Sequence, residues 1–66
     1  MYKQEILAHF GGVIQTSIVF NMTKGAVSKW PEDKPVPENI ALLAERYSDG
    51  ELEYDPELYG RSPDNE

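Results

Sequence analysis

Lys24, Gly25, Ser28 and Lys29 fall close together in the run VIQTSIVFNMTKGAVSKW, from Val13 to Trp30. On a helix, at 100° per residue, these four share one face, while Ala26, Val27 and Trp30 share the other. One face can pack. The other presents two ammonium groups, a hydroxyl and a patch of backbone that carries no side chain. Ammonium groups donate to phosphate oxygens and to guanine edges, and a hydroxyl donates to phosphate. Gly25 would let the helix approach a nucleic-acid groove closely. Thr23 precedes the helix as its N-cap and can add a backbone contact, and Gln15, one element earlier, is a further phosphate donor. The same pattern also suits an amphipathic helix of a small bundle whose outer face is simply solvated.

Those residues need a frame, and their neighbours supply one. Val13 to Phe20 reads as a helix, Asn21 as the turn, and Lys24 to Trp30 as a second helix, the layout of a helix-turn-helix. Phe20, Met22, Val27 and Trp30 would point inward and clamp the pair. Asn21 sits where such a turn needs φ > 0, which Asn tolerates better than most residues. Upstream, Met1 to Phe10 reads as a helix, with Tyr2, Ile6 and Phe10 on one face beside Leu7, stopped by Gly11 and Gly12. Pro31 disfavours helical geometry at Trp30 and so ends the second motif helix.

Residues 31–37, PEDKPVP, read as a stiff extended linker that sets the angle of the next element. Glu38 to Tyr47 reads as a helix with Ile40, Leu43, Ala44 and Tyr47 in a stripe, Leu42 beside them, and Gly50 as the stop. The segment from Glu51 to Tyr59 leaves two readings. Its alternation after Asp49 and Gly50 suits a strand, whereas Asp55 and Pro56 suit the cap and first position of a short helical turn. An extended arm followed by a short turn is the preferred expectation. The fold class is therefore all-α, a small bundle of four or five helices. Residues 1–60 would form one helix-turn-helix domain and residues 61–66 a flexible acidic tail.

HFGG, NMTKGAVSKW, the Pro-rich hinge and the tail YSDGELEYDPELY together resemble the Cro repressors of lambdoid phages, in their all-helical branch. The matching positions are His9, Phe10 and Gly11 at the end of the first helix, Ala26, Val27, Ser28 and Trp30 in the second motif helix, and Leu52, Tyr54 and Tyr59 in the tail. The resemblance implies a helical bundle that binds a pseudo-palindromic operator in double-stranded DNA as a homodimer, in the cytoplasm of a bacterial host. The chain departs from that pattern in three places. Thr16 and Ser17 stand where an apolar residue and Ala are usual, so both need partners if buried. The turn Gly is replaced by Asn21. Ile14 and Ile18 stand where the first motif helix usually carries phosphate contacts. They would either pack under the first helix or the tail, or form a partner surface.

Composition both narrows and complicates this reading. A chain of 66 residues with no Cys has one small core that buries only ~60% of its unfolded surface, so dimerisation is the expected additional source of stability. By elimination, the apolar residues left without a place in the core are the expected weak dimer contacts: Leu52 and Tyr54, with Val36 and Tyr59. No apolar run suits a membrane span and no signal-peptide pattern opens the sequence. The residues offer no metal set, calcium loop, phosphate loop or nucleophile–base pair, and His9 stands alone. The expectation is therefore no enzyme, no cofactor and no small-molecule ligand. A net charge of −6 opposes DNA binding, which draws on phosphate neutralisation. The charge is unevenly spread. Lys3, Lys24 and Lys29 against Glu5 leave +2 over residues 1–30, whereas residues 31–66 hold eleven acids and three cations, a balance of −8. The alternative function is an acidic protein-interaction module, an antitoxin or regulator, that makes no use of DNA.

Overall fold

A computed structural model describes residues 1–60, so the expected acidic tail lies outside the described residues. Four α-helices follow in order: α1 (Lys3–Phe10), α2 (Val13–Phe20), α3 (Lys24–Ser28) and α4 (Glu38–Tyr47), then a 3-10 turn at Pro56–Tyr59. No strand forms among the described residues, so the tail takes the extended-arm reading. The all-α fold class stands.

Each boundary has a local cause. α1 begins at Lys3 because Met1 and Tyr2 are held extended: the Met1 carbonyl accepts from the Val36 N–H at 2.9 Å. The Glu5 carboxylate then accepts from the Tyr2 N–H at 3.2 Å, which satisfies a donor at the helix entry. Gly11 ends α1 at φ 95°, and the N–H groups of Gly11 and Gly12 both return to the Leu7 carbonyl, at 2.9 and 2.8 Å. α3 stops at Ser28, two residues short of the expected Trp30. Trp30 precedes Pro31 and cannot continue the helix, though its N–H still reaches the Val27 carbonyl at 3.1 Å.

The core gathers Met1, Ile6, Phe20, Val27, Trp30, Val36, Ile40, Ala41 and Ala44. Phe20 is its junction. The rings of Phe10, Trp30 and Tyr47 all stand edge-on to it, at centroid distances of 5.6, 5.6 and 5.1 Å, a favourable aromatic geometry. On α4 the inward residues include Ala41 rather than Leu42, which is exposed. Leu42 lies about 200° around the helix from Ile40 and so faces away.

Val36 corrects the linker reading. It is fully buried within the protomer, so it offers no surface to another copy. Pro35 and Pro37 have no N–H to donate, and the Val36 N–H, pinned to Met1, turns its side chain inward. The other arm residues also find places within the protomer. Leu52, Tyr54 and Tyr59 are half-buried against the core. The Tyr59 hydroxyl donates to the Val36 carbonyl at 2.8 Å, and Tyr54 donates to the Glu38 carboxylate. The two tyrosine rings stack 5.5 Å apart. Ser48 fixes the start of the arm by accepting from the Leu52 N–H at 2.9 Å. Ile14 and Ile18 do not pack under α1 or the arm. They are 59% and 67% exposed, with Val19 beside them at 39%.

Both small polar residues of α2 are buried, with different outcomes. The Ser17 hydroxyl donates to the Ile14 carbonyl at 2.6 Å. The Thr16 hydroxyl, fully enclosed, has no hydrogen-bond partner among the described residues. A buried unsatisfied hydroxyl costs about 1–3 kcal/mol. Thr16→Val keeps the shape and removes that polar atom, so it is expected to stabilise the fold by about 1 kcal/mol, a rise in Tm of roughly 4–8 °C. Thermal unfolding followed by circular dichroism checks this; a lower Tm would mean that the hydroxyl is satisfied in solution.

Candidate nucleic-acid interface

The turn between α2 and α3 is built as the motif requires. Asn21 adopts the left-handed conformation, φ 55° and ψ 49°. The Met22 N–H returns to the Ser17 carbonyl at 3.0 Å, which closes α2 and redirects the chain. Thr23 caps α3: its Oγ1 accepts from the Ala26 N–H at 3.1 Å. Val27, fully buried, and Trp30, nearly so, lock the inner side of α3 and the residue beyond it.

That anchoring leaves Thr23, Lys24, Gly25, Ser28 and Lys29 exposed on one short element. Gln15 is exposed on α2, apart from the α3 set in the chain. His9 lies in the last turn of α1, its ring edge-on to Phe10 at 4.8 Å. Among these positions the chemistry is donor-rich: ammonium groups, a hydroxyl, a side-chain amide and open backbone.

One cationic contribution differs from its reading in the sequence. Lys3 does not join the exposed charge of the motif half. It is buried, and its ammonium donates to the Ser28 carbonyl at 3.1 Å and pairs with Glu32 at 3.4 Å. Glu5, the acid of that half, borders a shallow depression with Glu53 and Asp55 at the arm, where carboxylates would repel phosphate. The motif's outward charge therefore comes from Lys24 and Lys29. The signal for Lys3 was present in the sequence only as a Lys between Tyr2 and Ile6, on a helix whose apolar face it adjoins.

A family model described as the DNA-binding transcriptional regulator Cro matches residues 2–62. The chain belongs to this family. It is a DNA-binding transcriptional regulator of the Cro type. No curated protein and no solved structure matches the chain. Among the described residues no helix is long and apolar enough to cross a membrane.

Gly25 is not required by the fold. A Cβ placed there would meet the Thr23 Oγ1 at 3.9 Å, an ordinary contact, and the residue needs no positive φ. Nothing inside the protomer asks for glycine, which in a helix costs up to about 1 kcal/mol relative to Ala. Gly25→Ala is expected to raise the Tm while weakening binding to duplex DNA. Unfolding curves and mobility-shift titrations on one preparation test both directions. Equal or tighter binding would show that the bare backbone is not at the interface.

Proposed function

We propose that the chain is a sequence-specific repressor that binds a pseudo-palindromic operator as a homodimer, with α3 in the major groove. The observation that carries this reading is the exposed set on a capped and core-anchored α3. Lys24, Gly25, Ser28 and Lys29 face base edges and adjoining phosphates, Thr23 adds a backbone contact, and Gln15 reaches phosphate from α2. Half-sites of such an operator lie ~34 Å apart, one helical turn of DNA. The protein acts in the bacterial cytoplasm, where operator DNA is found, and performs no catalysis. Partners are duplex DNA and a second copy of the chain, with no cofactor or small-molecule ligand.

Selection of bound sequences from a random duplex pool, then mobility-shift titration at two salt concentrations, tests the reading. Lys24→Ala and Lys29→Ala should each weaken binding with the fold intact. A lost phosphate contact lowers the salt slope by about 0.9, and a lost base contact costs ~1–3 kcal/mol on the selected site. Binding unchanged in both variants would remove α3 from the interface.

The dimer contact is proposed at the arm, through the exposed parts of Leu52, Tyr54 and Tyr59, with Leu58, itself 39% exposed, beside them. The arm's acids repel a second copy, so added salt should strengthen the dimer while it weakens DNA binding. Sedimentation equilibrium of the wild type and Leu52→Ala reads this; a dimer indifferent to that change, or a monomer at millimolar concentration, rules the arm out.

The exposure of Ile14, Ile18 and Val19 favours a second reading, a protein-interaction module acting through α2. Failure of the wild type to select any duplex, at low as well as moderate salt, would support it over the repressor.

A further inference from the structure

We infer that Lys3 is a positioning residue for DNA recognition: through the Ser28 carbonyl it fixes the seat of α3, and so the sequence discrimination of the protein. The inference rests on the proposal that α3 reads the operator. α3 has only five residues, too few for a helix to hold its own geometry. Its N-terminus is fixed by the Thr23 cap. At the other end the Gly25 and Ala26 carbonyls accept from Lys29, at 3.1 and 3.3 Å, and the Val27 carbonyl from Trp30. These bonds join neighbours and do not tie the helix end to the rest of the domain.

The Ser28 carbonyl is different. It accepts from the Lys3 ammonium at 3.1 Å, across a sequence separation of 25. Lys3 is only 7% exposed, so its stem is held in place and the bond is directional rather than a loose surface contact. An ammonium at a helix C-terminus also complements the partial negative charge there. The Glu32 side chain that shares the ammonium is 73% exposed, and such an ion pair contributes little on its own. The carbonyl bond is therefore the contact with consequence. Ser28 and Lys29 carry two of the side chains proposed to meet DNA, and their backbone is the part tethered. Groups that read a ligand must be held to within about 0.5 Å.

A positioning role makes a distinctive prediction. Non-specific binding depends on charge near phosphates, which Lys24 and Lys29 keep. Specific binding depends on where Ser28 and Lys29 stand. Lys3→Met keeps most of the buried stem and removes the ammonium; Lys3→Arg keeps a cationic donor. With the full chain, affinities are measured for the duplex selected by the wild type and for an unrelated duplex of equal length, at two salt concentrations. Folding is checked by thermal unfolding, and the amide signals of Ser28, Lys29 and Trp30 by 1H–15N spectra. For Lys3→Met the specific-to-unrelated ratio should fall about tenfold, the scale of a lost base contact. The salt slope on the unrelated duplex should not change, those amide signals should move, and Lys3→Arg should restore most of the ratio. If Lys3→Met does not fold, Lys3→Leu, which has no side-chain donor, carries the same expectation. An unchanged ratio overturns the inference. A salt slope lower by about 0.9 also overturns it, since Lys3 would then be touching phosphate itself. A wild type that selects no duplex at all removes the DNA reading and this inference with it, whereas a selective wild type with an indifferent Lys3 removes the inference alone.

Discussion

The Phe20 ring is the constraint on which the domain depends. It closes α2, and three other rings stand against it: Phe10 from the end of α1, Trp30 from just beyond α3, and Tyr47 from the end of α4. Each of those rings lies at the end of an element or just past it. A single side chain thus fixes where three chain segments finish, which matters in so small a domain because no second core layer can correct an error. The chain direction of α3 follows from this arrangement. Trp30 is held by Phe20, Val27 is buried behind it, and the outer face is then free to carry chemistry without being asked to pack.

Polar groups do the finer placement. The Asn21 left-handed turn closes α2, while the Thr23 cap and the Lys3 bond to the Ser28 carbonyl act on the two ends of α3. Each satisfies a backbone group that a helix end otherwise leaves open. The arm is held by similar means, with Ser48, Glu45 and the tyrosine hydroxyls bonding to backbone and carboxylate partners. Apolar contact decides which elements meet, and hydrogen bonds decide at what angle.

Much of this was legible in the sequence because its signals are local. The motif turn could be read from Asn21, the cap from Thr23, the packed face from the spacing of Val27 and Trp30, and the 3-10 turn from Asp55 and Pro56. What could not be read depends on distant partners. Val36 looks like a linker residue until Met1 comes alongside, and then its backbone pairs and its side chain enters the core. Lys3 looks like a surface cation until the end of α3 arrives above it. The elimination that offered Leu52, Tyr54 and Tyr59 to another copy had no sight of the surface created by Met1, Val36 and Glu38, which come from separate parts of the chain and half-bury these residues within the protomer. Ile14 and Ile18 show the converse. Their apolarity suggested a cover, and no described element supplies one.

The charge distribution, refined by the structure, constrains how such a protein can work on DNA. Lys3 is spent inside the domain, so the helix-turn-helix presents Lys24 and Lys29 as its outward ammonium groups, doubled in a dimer. Each neutralised phosphate contributes about 0.9 to the salt slope, so few cations mean little counterion release and weak non-specific attachment. The acids of residues 31–66 weaken it further by repulsion. On the proposed reading, affinity for the right site must then come from base contacts and from the pairing of two half-sites, both of which depend on geometry more than on charge. Weak charge attraction also leaves less of the protein held on the wrong DNA. The chain would thus gain selectivity from the same acidity that opposes phosphate binding, provided that α3 is held firmly enough to read.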